Sequence, residues 1–140
     1  MAIGQASPEE YEQQLQAKVI ALTELLAPFS PPNCQIFPSV KSHFRFRAEF
    51  KIWHEEDRSF YAMFNPKQPK QPVEITDFSI GSQRICELMP ALLEQIHQHS
   101  ELRFRLFQVE FLTTQHNQSL ITLIYHRKLD DAWLVLAKKL

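Results

Sequence analysis

Residues 44–53 show the clearest hydrophobic pattern in the chain, because apolar and polar side chains alternate there with a period of two. Alternation of this kind predicts a β-strand with one face in the core and the other in solvent. We expect the core face to carry the apolar set Phe44, Phe46, Ala48, Phe50 and Ile52. The opposite face carries a mostly charged set with one indole, namely Arg45, Arg47, Glu49, Lys51 and Trp53.

Further strands are predicted on both sides of a central helix. A polar turn leads into a second strand at residues 59–65, and a third strand covers residues 73–78. Between them, Pro66–Pro72 is predicted to form a basic, proline-rich loop. Strands near residues 105–113 and 120–126 are predicted to form a hairpin around a polar turn.

The first helix is predicted near the N-terminus of the chain. Ser7 is expected to cap it and Pro8 to occupy its first turn. Apolar residues then recur at spacings of three and four, namely Tyr11, Leu15, Val19, Leu22 and Leu26. The polar surface of this helix is acidic and unsuited to phosphate binding, so we expect the helix to pack against the rest of the fold.

Two further helices complete the predicted elements. Residues 82–100 have apolar side chains at helical spacing, and Pro90 is expected to kink this helix or to mark its true start. A last helix is predicted to follow Asp130 or Asp131, either of which can cap it. It reaches Leu140 without a stop signal, so we expect a truncated helix whose apolar face is open to self-association.

These elements predict an α+β fold in which antiparallel strands and a hairpin pack with two to three helices. A length of 140 residues fits a single domain, 1–140, with one buried core. An apolar content of 44% excludes wholesale disorder. The balance of 15 Lys and Arg against 16 Asp and Glu argues against a protein that coats DNA non-specifically.

Residue counts exclude several functional classes. Gly4 and Gly81 are the only glycines, so neither a G-x-G-x-x-G turn nor a P-loop can be present. Cys34 and Cys86 lack the spacing of a disulfide framework or a zinc site, and we expect reduced thiols. No histidine pair has the spacing of a metal motif. No apolar run approaches the ~18 residues of a membrane span, so we expect a cytoplasmic protein without metal or membrane partners.

Two groups of residues have the chemistry of nucleic-acid binding. Arg45, Arg47 and Lys51 share a predicted strand face with an indole that can stack on a base. The alternative is an ordinary charged face of a half-buried sheet. The second group, Tyr125–Lys128, places an aromatic ring, an imidazole and two cations at the end of a strand.

A different hypothesis rests on two of the six histidines. His43 and His126 are candidates for the acid and base of a ribonuclease-like site. Neither has an obvious partner residue beside it in the sequence, which makes this the weakest of the functional interpretations.

Five segments of the chain resemble, in order and spacing, the amino-terminal part of the bacterial tRNA (uracil-5-)-methyltransferases. They are Tyr11–Ser30, Ser42–His54, Leu106–Gln108, Leu112–Thr114 and Tyr125–Trp133. Members of this family form 5-methyluridine in the T-loop of tRNA with S-adenosylmethionine as methyl donor. The resemblance implies that the catalytic cysteine, the carboxylate base and the cofactor-binding fold lie in a carboxy-terminal half that is absent from this chain.

The resemblance also implies which residues bind RNA. Phe107 matches a phenylalanine that stacks in the T-loop, and His126 matches a histidine that contacts it. Lys51 stands where the family typically has an arginine, so it can meet a phosphate but lacks the planar, two-pronged guanidinium geometry. Arg45 and Arg47 of the predicted basic face complete the candidate RNA-binding set.

Neither cysteine matches the nucleophile of the family, so we expect no catalytic residue in this chain. We also expect the chain alone to bind no S-adenosylmethionine and to methylate nothing. The leading interpretation is the substrate-recognition part of the enzyme, with the T-arm loop of tRNA as its partner. A stand-alone, non-catalytic RNA- or protein-binding module is the alternative.

Overall fold

The computed structural model describes residues 3–140 and is built on a five-stranded antiparallel sheet. Its strands are β1 (Arg47–Glu55), β2 (Arg58–Asn65), β3 (Gln68–Glu74), β4 (Leu106–Thr113) and β5 (Ser119–Tyr125). They lie in the order β3-β2-β1-β4-β5. The helices are α1 (Tyr11–Leu26), α2 (Gln83–Gln98), α3 (Ser100–Arg103) and α4 (Asp131–Ala137). This architecture confirms the predicted α+β class.

The core lies between α2 and one face of the sheet. The predicted alternation is confirmed within β1, where Ala48, Phe50 and Ile52 are buried. The side chains that α2 contributes to the core are Ile85, Met89, Leu92 and Ile96. Tyr61 of β2 donates a 2.8 Å hydrogen bond from its hydroxyl to the carbonyl of Met89, and burial raises the pKa of this phenol.

The opposite face of the sheet is partly open to solvent, and we call it the open face. It is formed by alternate residues of the three central strands and their neighbours, chiefly Arg47, Glu49, Lys51, Trp53, Phe64, Gln108, Glu110 and Leu112. In β1, burial and exposure follow the period of two that β-strands impose on their side chains, whereas four successive residues of β2 are buried.

The start of β1 differs from the prediction. The regular strand begins at Arg47, and the preceding segment pairs with the loop before α2 through a bridge between Arg45 and Gly81. Phe44 and Phe46 are 39% and 38% exposed, so their assignment to the core is wrong. The alternation fails here because the chain has left the ladder that assigns side chains to the two faces of the sheet.

The helix α1 does not have the packing role that its apolar face predicts. None of its residues is buried, and Leu22 and Leu26 are 43% and 36% exposed. A short 3₁₀ turn at Pro8–Glu10 precedes it, and the Ser7 side chain makes no capping hydrogen bond. Periodic spacing predicts a helix and its apolar face, but it does not show that another element covers that face.

The proline-rich segment is a strand and not the predicted loop. Only residues 66–67 form a turn, and β3 begins at Gln68. Proline is tolerated in β3 because this is an edge strand, where a missing N–H leaves no partner unpaired.

The remaining elements follow the prediction closely. The side chain of Ser82 caps α2 by accepting from the amide of Ile85, and the helix passes through Pro90 without a break. Asp130 is the residue that caps α4, by accepting from the amide of Trp133 at 2.9 Å. This helix ends at Ala137, so the prediction that it continues to Leu140 is wrong.

A β-bulge interrupts the pairing of β4 with β5. Leu106 pairs with Tyr125, whereas Gln108 pairs with Ile124, so Phe107 is an extra residue on β4. The bulge changes which residues of β4 face the core. Leu106 and Val109 are both buried although they are three positions apart, an odd spacing that a regular strand would place on opposite faces. Phe107 and Gln108 are both left half-exposed at the bulge.

A chain of hydrogen bonds holds the backbone beside this bulge. His54 Nε2 donates to the carbonyl of Leu106 at 2.8 Å, since a carbonyl oxygen can only accept. Nδ1 of the same ring accepts from the hydroxyl of Ser59 at 2.8 Å, and that hydroxyl accepts from Arg103 Nε at 2.8 Å. Ser59 is 1% exposed, so this shared hydroxyl links β2, α3 and the bulge within the protein interior.

We predict that Ser59→Ala destabilises the protein by about 1–3 kcal/mol, because it leaves the partners of a buried hydroxyl without their hydrogen bonds. Ser119→Ala is the matched control, since its hydroxyl is on the surface, and it should change stability by less than about 0.5 kcal/mol. Urea unfolding followed by circular dichroism measures both values. Equal stabilities for the two variants would show that the buried hydroxyl contributes nothing.

Candidate nucleic-acid interface

The three residues that the family resemblance singled out meet in one cluster at the bulge. The rings of Phe107 and His126 are stacked, with centroids 4.0 Å apart and an interplanar angle of 23°. The ammonium of Lys51 lies 3.7 Å from the centroid of the Phe107 ring. Both groups lie too close to the ring centre to share one face, so the phenyl ring lies between the imidazole and the cation. We call these three residues the Phe107 cluster.

Each member of the cluster is placed by a different strand. The bulge points Phe107 outward from β4, and Lys51 stands opposite Gln108 in the pairing of β1 with β4. His126 follows β5 directly, and its amide donates to the carbonyl of Arg105 at 3.0 Å. Arg105 has a left-handed backbone with φ of 56°, which reverses the chain just before the bulge. His126 is exposed, whereas Phe107 and Lys51 are half-buried.

Gln108 connects the Phe107 cluster to the rest of the open face. Its Oε1 accepts from the ammonium of Lys51 at 2.6 Å, and its Nε2 donates to Glu110 at 2.7 Å. The two contacts fix the orientation of the amide, because the ammonium can only donate and the carboxylate accepts. Gln108 was not among the predicted RNA-binding residues, and the one sequence feature that points to it is its position next to Phe107.

The open face is less positively charged than the basic residues of β1 suggest, because carboxylates neutralise one of them. Arg47 forms ion pairs with Glu49 and, at 3.7 Å, with Glu110. The carboxylate of Glu110 comes from β4, so a count along β1 cannot include it. These three side chains sum to one negative charge, which leaves Lys51 as the cation of β1 that is free of carboxylate contacts among residues 3–140.

Arg45 and Arg47 are therefore separated from the Phe107 cluster. Arg47 stands four residues from Lys51 along β1, a distance of about 13 Å at the usual strand rise. Arg45 is exposed on the segment before β1. The structure thus brings together three of the five predicted RNA-binding residues and places the two arginines elsewhere. Their contacts with RNA stay a prediction.

The end of the hairpin presents fewer groups to solvent than its sequence suggests. The Tyr125 hydroxyl donates to the carbonyl of Leu102 at 2.7 Å, and burial raises its pKa. The Arg127 guanidinium donates to the carbonyl of Glu101 at 2.8 Å. Both side chains hold α3 against the hairpin, so His126 and Lys128 are the exposed members of this group.

The structure does not bring His43 and His126 together, and His43 Nδ1 instead lies 3.8 Å from the Cys86 thiol. His43 Nδ1 lies 2.8 Å from the carbonyl oxygen of Gly81, whereas His126 stacks on Phe107, so the two imidazoles have different surroundings. The thiol of Cys86 lies 3.2 Å from the carbonyl oxygen of Phe78, and burial raises the pKa of this thiol. A raised pKa disfavours the thiolate that nucleophilic attack requires.

Residues 3–140 contain neither a metal-binding group of side chains nor a membrane-spanning helix. No group of three or more His, Cys, Asp or Glu side chains in this range is placed to hold a metal ion. No helix in the same range has the length and apolar character to cross a membrane. The Phe107 cluster and Gln108 offer stacking on a ring, hydrogen bonding and attraction of a phosphate.

Comparison with known proteins identifies the family. The family model described as tRNA (uracil-5-)-methyltransferase matches residues 10–140. The tRNA/tmRNA (uracil-C(5))-methyltransferase of Chromohalobacter salexigens is 50% identical over 137 residues, covering 95% of this chain and 37% of the relative. The tRNA/tmRNA (uracil-C(5))-methyltransferase of Pseudomonas putida is 50% identical over 133 residues, covering 95% of this chain and 37% of the relative. That from Aromatoleum aromaticum is 44% identical over 140 residues, covering 100% of this chain and 38% of the relative.

These matches confirm the resemblance seen in the sequence. The chain spans less than two fifths of the length of the relatives it matches, which are named as RNA-modifying enzymes. The chain belongs to the tRNA (uracil-5-)-methyltransferase family.

Proposed function

We propose that this chain is the substrate-recognition part of an S-adenosylmethionine-dependent tRNA (uracil-5-)-methyltransferase, and that it binds the T-arm loop in which the enzyme forms 5-methyluridine. The observation that carries the proposal is the Phe107 cluster. A phenyl ring, an imidazole and an ammonium group meet there at the edge of an open sheet face.

The cluster has the two properties that an opened RNA loop requires. Extruding a base from its stack costs a few kcal/mol, and stacking of a base on an aromatic side chain returns about 1–3 kcal/mol. The exposed His126 ring offers such a stacking surface on the face turned away from Phe107, and Phe107 supports the ring from behind. Lys51 adds a positive charge that is not neutralised by a nearby carboxylate and can meet the phosphate beside the stacked base.

The bulge gives this recognition site a fixed direction. Phe107 projects from a backbone whose neighbouring carbonyl, that of Leu106, is held by His54. Because the ring cannot turn with a flexible loop, little conformational entropy is lost when RNA binds. Arg45 and Arg47 are proposed as outlying contacts to the phosphate backbone.

The chain itself does not fit S-adenosylmethionine. A methyl-donor loop needs glycines that leave room for a ligand, yet both glycines of this chain make room for the ring of Phe78. A Cβ atom at Gly4 would lie 2.7 Å from that ring, and one at Gly81 would lie 2.5 Å from it. We therefore propose that S-adenosylmethionine serves the full-length enzyme and binds outside residues 3–140.

Replacing either ring of the Phe107 cluster should weaken RNA binding. We expect Phe107→Ala and His126→Ala each to reduce affinity for a T-arm hairpin by about 5- to 100-fold, since His126 supplies the free stacking face and Phe107 holds that ring in place. Fluorescence anisotropy with labelled RNA measures this, and Leu120→Ala on β5 is the control that should bind normally. Equal binding of a hairpin with an unrelated loop would contradict the proposal and favour a general RNA-binding module.

The salt dependence of binding should report the role of Lys51. A phosphate contact releases counterions, so affinity should fall as salt rises, and Lys51→Gln should reduce the slope of log K against log salt by about one. Lys18→Gln on the acidic helix α1 should leave the slope unchanged. An unaltered slope for Lys51→Gln would show that its ammonium meets no phosphate.

Calorimetry should detect no binding of S-adenosylmethionine to this chain, because its glycines are occupied by packing. The full-length relative from Pseudomonas putida serves as the positive control under the same conditions. Saturable heat with the 140-residue chain would contradict this part of the proposal.

A further inference from the structure

Trp53 is an exposed aromatic residue of the open face that the proposed function does not use. Its side chain is 36% exposed and follows Lys51 by two residues on the same face of β1. Two residues along a strand cover about 7 Å, a distance that one nucleotide of an extended RNA strand spans.

The indole of Trp53 lies across the neighbouring strand. Trp53 pairs with Phe60 and Lys51 pairs with Ala62, while Phe64 lies two residues further along β2. The rings of Trp53 and Phe64 nevertheless meet edge to face, with centroids 6.1 Å apart, so they meet above Ala62. This explains why Ala62 is only 1% exposed on an open face. Trp53 nevertheless stays 36% exposed, so part of the indole is open to a ligand.

A shallow pocket lies beside Phe64, on the Glu49 side of Lys51, and neither Trp53 nor Phe107 lines it. It measures about 270 Å³, and its lining includes Phe64, Lys51, Gln108 and Glu49. One flat apolar wall and several polar ends suit a nucleobase, which has flat apolar faces and a polar edge.

Carboxylates bound this surface on two sides. Glu49 and Glu110 lie on the side toward Arg47, and on the other side Glu55 ends β1 and Glu56 and Asp57 form the turn after it. Negative charge on both sides disfavours a long run of phosphates along β1. The surface therefore fits one nucleotide beside the Phe107 cluster and not an extended strand.

We propose that the open face contains a second nucleotide subsite, in which one unstacked base of the RNA bound at the Phe107 cluster stacks on the Trp53 indole beside Phe64. The proposal rests on the function proposed above. Lys51 lies between the two stacking positions, so its ammonium faces the phosphate that joins the two nucleotides.

Intrinsic fluorescence tests the subsite directly. In a Trp133→Phe background, Trp53 is the only tryptophan, and titration with unlabelled T-arm hairpin should quench its emission as the base stacks. Trp53→Ala should reduce affinity about 5- to 100-fold, and Trp53→Phe, which keeps a stacking face, should recover most of it. Leu112→Ala is the control, because this exposed residue lies on the same face beyond the carboxylates and should not change affinity.

The outcomes separate the subsite from the proposed function. RNA binding that depends on Phe107, without quenching of Trp53 and with normal affinity of Trp53→Phe and Trp53→Ala, overturns the subsite alone. Absence of T-arm binding by the unaltered chain overturns both. Quenching that saturates at the same RNA concentration as the anisotropy change, and disappears in Phe107→Ala at that concentration, supports the subsite.

Discussion

The hydrogen bond from His54 to the backbone carbonyl of Leu106 fixes the position of the proposed recognition site. The extra residue in β4 leaves the Leu106 carbonyl without a regular ladder partner on its β1 side, and His54 supplies the missing donor from that strand. An unpaired buried carbonyl would be costly, so the imidazole makes the bulge a stable part of the sheet. Phe107 points outward as a consequence. A side chain that makes no proposed contact with RNA thus sets the position of one that does.

The open face illustrates why charge is a property of a surface and not of a segment. Arg47 belongs to a basic stretch in the sequence, yet two carboxylates surround it once β4 pairs with β1. Lys51 belongs to the same stretch and instead meets a ring and an amide oxygen. Two cations four residues apart therefore have different electrostatic surroundings, because Glu49 of β1 and Glu110 of β4 pair with Arg47 whereas Lys51 meets no carboxylate within the described residues.

Local patterns predicted most of the fold, and long-range contacts account for the remainder. The alternation in β1, the Asp130 cap and the hairpin of β4 and β5 depend on nearby residues, and sequence reasoning found them. The exposure of Phe44 and of α1 depends on what packs against them, which periodicity does not report. The resemblance selected Phe107, His126 and Lys51, whereas their meeting at one ring depends on a bulge that shifts the register by one residue. The roles of Gln108 and His54 follow only from that register.

The prolines of β3 have a consequence for the growth of the sheet. Pro69 and Pro72 cannot donate backbone hydrogen bonds, and β3 forms one of the two edges of the sheet. A strand from another molecule that pairs with β3 would therefore lack hydrogen-bond donors at these two positions, which disfavours edge-to-edge aggregation. The proline-rich segment that the sequence predicts as a loop thus forms an edge strand that resists pairing with other chains.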